Sequence, residues 1–177
     1  MDACDLGTEF PDYPLDSLPE IPGWLKGSHW HNEQCPSWRY EHDGRFLQLF
    51  VDYPKPETRE HPESKRFTVN VGRQDGGELT LDDVLHTDDW NDVMRHLLIG
   101  RWALRMALGF HPDTEGADYV DANGAASLTD DEATEYYNDI ARARRLGDPY
   151  DASIAIWKAL GLVDWHSSPK PEASPKA

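Results

Sequence analysis

The chain has 177 residues, with 33 Asp and Glu against 17 Lys and Arg and a formal charge of −16 at neutral pH. That length suits one domain with a sizeable core, and seven Trp, seven Tyr and five Phe exclude global disorder. The acid excess excludes broad contact with nucleic acid or anionic lipid, because both carry charge of the same sign. It leaves two readings, attraction to a basic protein or solubility alone.

Residues 1–28 hold Pro11, Pro14, Pro19 and Pro22, with no Lys or Arg before Lys26. Four prolines forbid a long helix. Phe10, Tyr13, Leu15, Leu18, Ile21 and Trp24 predict an extended arm packed over the rest of the chain. The opening stretch MDACDLGTEF has neither the basic nor the apolar region of a signal peptide. No run approaches the roughly 18 apolar residues of a membrane span. Cys4 and Cys35 are the only cysteines, no disulfide is expected, and the cytoplasm is the expected location.

His29, His31, Glu33 and Cys35 alternate along the next segment. In an extended chain they point to one side, and His42 can fold back towards them across the following hairpin. Imidazole, carboxylate and thiolate are zinc ligands, so His29, His31, Cys35 and His42 form a candidate zinc site. The spacing matches no standard zinc motif, and the plainer reading is a polar loop.

From Pro36 to about Leu81 the pattern is an antiparallel meander. Trp38 and Tyr40 alternate with Arg39 and Glu41, and Asp43-Gly44 is a strong hairpin signal. Leu47, Leu49, Val51 and Tyr53 line one face of the next strand. A charged loop with three prolines, PKPETREHPESK, follows. Phe67, Val69 and Val71 then alternate with Thr68 and Asn70. A turn at Gln74-Asp75-Gly76-Gly77 leads to a short fourth strand at Leu79 and Leu81.

Helices come after the strands. Asp88 or Asp89 caps a helix running to about Leu108, too apolar for a single buried stripe and therefore central. Residues 111–128 form a loop. Thr129-Asp130-Asp131-Glu132 has capping-box form and opens a helix to about Leu146, burying Ala133, Tyr136, Tyr137 and Ile140. Asp148-Pro149 opens a last helix with Tyr150, Ile154, Trp157 and Leu160 as its apolar residues. From Ser167 the chain is Pro, Ser, Lys and Ala, a disordered tail over 167–177. Strands followed by helices give an α+β class. The expected architecture over 29–166 is one domain, a three- to four-stranded antiparallel meander sheet covered on one face by about three helices.

His111-Pro112-Asp113, behind the helical stretch LLIGRWALRMALGF and ahead of DPYD, resembles the J-domain of Hsp40 co-chaperones. The YxxLG signature and the Lys-rich helix of that module are absent, so the tripeptide is read as coincidence. Pro112 ends the helix and Asp113 turns the chain. There is no P-loop, dinucleotide fingerprint, nucleophile elbow or H-E-x-x-H, and no catalytic residue is assigned.

Charge is blocked along the chain. Asp82, Asp83, Asp88 and Asp89 lie in one stretch without Lys or Arg, and Asp113, Glu115, Asp118, Asp121, Asp130, Asp131, Glu132 and Glu135 in another. Acids on a rigid surface imitate phosphate spacing. In charge and size alone the chain resembles inhibitors of restriction and CRISPR systems and immunity proteins against nuclease toxins. The expectation is a non-catalytic module that neutralises a basic, nucleic-acid-handling protein through these acids, with no direct nucleic-acid contact and no membrane. The alternatives are a small metal-binding protein or metal-dependent hydrolase on the His/Cys cluster, and an accessory protein whose charge only solubilises.

Overall fold

The computed structural model describes residues 3–28, 33–75, 78–106 and 128–161. Five strands run in the order β1 (Lys26–Gly27), β2 (Ser37–His42), β3 (Arg45–Val51), β4 (Phe67–Asp75) and β5 (Glu78–Thr87). They form one antiparallel meander in which each strand pairs with its chain neighbour. The helices are α1 (Ala3–Glu9), α2 (Trp90–Met106), α3 (Asp130–Leu146) and α4 (Tyr150–Leu160). The class is therefore α+β.

The β2–β3 hairpin closes at Asp43-Gly44, where φ is +48° and +71°. Two consecutive positive φ values suit the right-handed twist of a two-residue hairpin, and Asp and Gly tolerate them. The resulting register stacks Tyr40, Leu47 and Val71, and beside them Trp38, Leu49 and Val69. These rows face the helices. Helix α2 lies directly on them, with Val93, Leu97, Leu98, Trp102 and Leu104 all buried. Gly100 lets it sit close to the sheet, since a Cβ there would come within 2.7 Å of Leu47.

The sheet has five strands where three or four are expected. β1 is two residues long and offers no alternation to read. β5 continues from Leu81 through Asp82 and Asp83 to Thr87, because an edge strand can leave acids in solvent while Val84 and Leu85 pack inward. A bulge opposite Val69 and Asn70 absorbs one residue of register there.

The N-terminal arm does pack on the core: Leu6, Phe10, Tyr13 and Leu25 are buried in the central cluster. Its start is a seven-residue helix, α1, which ends before Pro11. Arg66 ties the arm to the sheet by donating to the Ser17 carbonyl at 2.6 Å, and Tyr13 packs on Tyr53 with ring centroids 5.0 Å apart.

The capping box of α3 forms as expected between Thr129 and Glu132. Its buried face is Tyr136, Ile140 and Ala143, while Tyr137 is exposed. In α4 Ile156 is buried and Ile154 only half-buried. The tail and the His111-Pro112-Asp113 tripeptide lie outside the described residues. Among those residues no helix is long and apolar enough to cross a membrane.

Candidate partner-binding surface

Burial, geometry and pairing divide the candidate acids into distinct groups. Asp88 sits in the turn after β5 and accepts from Lys65 Nζ at 2.8 Å and from the Arg66 backbone N–H at 2.9 Å. Those bonds hold its carboxyl below the usual range. Asp89 accepts from the Asn91 N–H at 2.8 Å and caps α2. Glu132 closes the α3 capping box and pairs with Arg105. Glu135 pairs with Arg101 at 2.8 Å. These four acids have work inside the fold.

Arg95, Arg101 and Arg105 all turn from α2 towards α3. Arg95 donates to the Leu146 carbonyl at the α3 C-terminus, at 3.2 Å, where a cation complements the helix dipole. Buried Arg101 reaches both Glu135 and Asp139. Asp139 also accepts from the Trp102 indole at 2.8 Å. Burial nevertheless pushes the Asp139 carboxyl up, outweighing the Trp102 hydrogen bond and the nearby guanidinium. The clustered arginines thus serve the α2–α3 contact.

Asp82, Asp83, Asp130 and Asp131 are exposed. Asp130 and Asp131 open α3, where acids suit the positive end of the helix dipole. Asp82 and Asp83 lie in the middle of β5, the last strand of the sheet. Leu79 and Leu81 beside them are 58 % and 43 % exposed. Asp113, Glu115, Asp118 and Asp121 lie outside the described residues.

The sheet face turned away from the helices carries a polar row missing from the sequence reading. Register aligns Arg39, Gln48, Asn70 and Asp83 across four strands. Arg39 donates to Gln48 at 3.2 Å. Next to this row Thr68 Oγ1 lies 3.1 Å from His86 Nδ1, and His86 Nε2 lies 3.1 Å from Asp83 Oδ2. A hydroxyl, an imidazole and a carboxylate in that order have the connectivity of a nucleophile relay. Here the His86 and Asp83 side chains are about half exposed, whereas acyl transfer relies on enclosed, oriented donors. Its plain effect is to fix the Asp83 carboxylate. No motif marks it, because the β5 bulge brings His86 and Asp83 together.

Of the metal candidates, His29 and His31 lie outside the described residues. His42, at the end of β2, has its Nε2 3.7 Å from Asp43. Cys35 is half-buried and free. Burial, with Asp52, Glu33 and Glu60 nearby, pushes its thiol up to about 12, so the nucleophilic thiolate is scarce at neutral pH. Among the described residues no group of three or more His, Cys, Asp or Glu is placed to hold a metal ion.

Trp38 is buried, and Trp24 meets Tyr40 edge-on at 5.5 Å under the Arg101 guanidinium. These aromatics are packing residues. A groove of about 580 Å³ runs between arm and sheet end, lined by Asp12, Pro14, Tyr53, Pro54, Lys55 and Thr58. Comparison with protein-family models, with curated proteins and with solved structures returned no match.

Proposed function

We propose that the chain is an acidic protein-binding module whose partner is a basic, nucleic-acid-handling protein, which it neutralises by covering that protein's nucleic-acid surface. The observation carrying this reading is the division of charge. The arginines of α2 are drawn into contacts with α3, whereas Asp82, Asp83, Asp130 and Asp131 remain exposed on a chain of net charge −16. Such a field steers a basic partner into encounter and repels nucleic acid.

The test is capture of partners from host extract on immobilised protein at low and high salt, read by mass spectrometry. The expected result is one basic nucleic-acid-handling protein, retained at low salt and released at high salt. Charge reversal at Asp82 and Asp83 to Lys should weaken its capture at least tenfold. Failure to retain such a protein at either salt rejects the reading.

A further inference from the structure

We propose that the basic partner docks by adding an extended segment to the free edge of β5; this rests on the binding reading above and specifies its geometry. In any strand every second residue turns its N–H and C=O away from the neighbour it already pairs with. Among the described residues β5 pairs only with β4, and no backbone hydrogen bond between them uses its other side. At ten residues it is a long edge. Proteins commonly blunt such edges with lysine, proline or a covering element. β5 contains neither lysine nor proline, and although α2 and α4 pack against it, Leu79, Leu81, Asp82, Asp83 and His86 remain exposed.

Side chains along this edge define what fits it. Leu79, Leu81 and Asp83 stand on the face away from the helices, opposite Gln74, Gly72 and Asn70 of β4. Thr80 and Asp82 stand on the other face, opposite Arg73 and Val71. Leu81 also borders a filled slot: the Phe46 ring lies over Gly72, where a Cβ would come within 2.1 Å of it. An antiparallel segment has residues directly opposite those of β5 and on the same face. Read from its N-terminus it meets Asp83, Asp82, Leu81, Thr80 and Leu79. The matching pattern is basic, basic, apolar, polar, apolar. His86 holds one oxygen of Asp83 at 3.1 Å, which orients the carboxylate for that first base.

Charge selects the occupant. A second copy offers an edge with the same acids and no Lys or Arg on a chain of net charge −16, so edge-to-edge pairing gains no cross-strand ion pair and works against the mutual repulsion. A basic segment turns the same positions into cross-strand ion pairs. Backbone bonds then supply affinity and the alternating side chains supply selectivity, as in other strand-addition complexes.

The probe is a synthetic peptide carrying Lys-Lys-Val-Thr-Val between Gly-Ser flanks, added to the full chain at low salt. Its control has proline in place of both valines, with the same charge and no capacity to complete the ladder. The expected result is at least tenfold slower hydrogen exchange at alternate β5 amides with the valine peptide and no slowing with the proline peptide. Leu81→Lys should reduce that binding at least tenfold with an unchanged circular dichroism spectrum. Equal binding of both peptides, or binding confined to the acids of α3, overturns strand addition and leaves the basic-partner reading standing. Absence of binding by either peptide overturns strand addition, and the separate extract capture then decides the basic-partner reading. A concentration-dependent dimer with β5 already protected before peptide is added assigns the edge to a second copy and likewise overturns the proposal.

Discussion

Cys35 illustrates how surroundings decide the chemistry of a side chain. Partly desolvated and with Asp52 and Glu33 nearby, its thiol is pushed up to about 12 from a reference of 9.0. At pH 8 the folded thiolate fraction is about a thousandfold below that of the unfolded chain. In a Cys4→Ser background, iodoacetamide should therefore alkylate the native protein at least a hundredfold more slowly than the denatured one. Equal rates would refute the burial. The same shift has a pH consequence. Above about pH 9 the unfolded chain releases the thiol proton while the folded chain keeps it. Stability contributed by the neutral buried thiol is then lost as pH rises from about 9 towards 12. Cys35→Ala should flatten that part of a denaturation-versus-pH profile. His96 works in the opposite pH range: burial lowers its pKa, so protonation of the unfolded chain below about pH 6.5 favours unfolding.

Between elements, the α2–α3 contact depends on one buried cation. Arg101 meets Glu135 and Asp139, and its ring neighbours are Trp24 and Trp102. Removing the guanidinium leaves the Asp139 carboxylate partly buried with the Trp102 indole as its remaining described partner. Arg101→Ala should cost about 3–5 kcal/mol in urea denaturation. Thr129→Ala, which removes one half of an exposed capping box, should cost about 1 kcal/mol. Similar losses for both would mean that Arg101 is solvated and that the α2–α3 contact is apolar. Element order from α2 onward was legible because each of those three helices carries its own start signal, which α1 does not. Asp89, Thr129 and Asp148 all accept from backbone N–H groups near their helix starts. The buried stripe of α3 was less legible, since Tyr136 and Tyr137 are adjacent and chemically equivalent, and only the position of Trp102, 5.3 Å from Tyr136, selects one for the core.

For the molecule as a whole, net charge opposes compaction. A chain of −16 repels itself, and salt screens exposed charges more than buried pairs. Raising sodium chloride from 10 mM to 0.5 M should increase the melting temperature by several degrees. A decrease would mean that surface ion pairs such as Lys65–Asp88 outweigh the repulsion.

Composition and periodicity by themselves determined the α+β class, the hairpin at Asp43-Gly44, the central helix and the acid excess. These follow from local rules: strand alternation, positive-φ turns, helix caps and summed charge act within a few residues or over the whole composition. Tertiary structure alone decided the fifth strand, the continuation of β5 through Asp82 and Asp83, and the Thr68–His86–Asp83 contact. It also decided which acids are consumed by arginines from α2 and which stay in solvent. Those outcomes depend on register and on helix-to-helix distance. A one-residue bulge or one helix rotation changes every partner without changing the local pattern that announces the element.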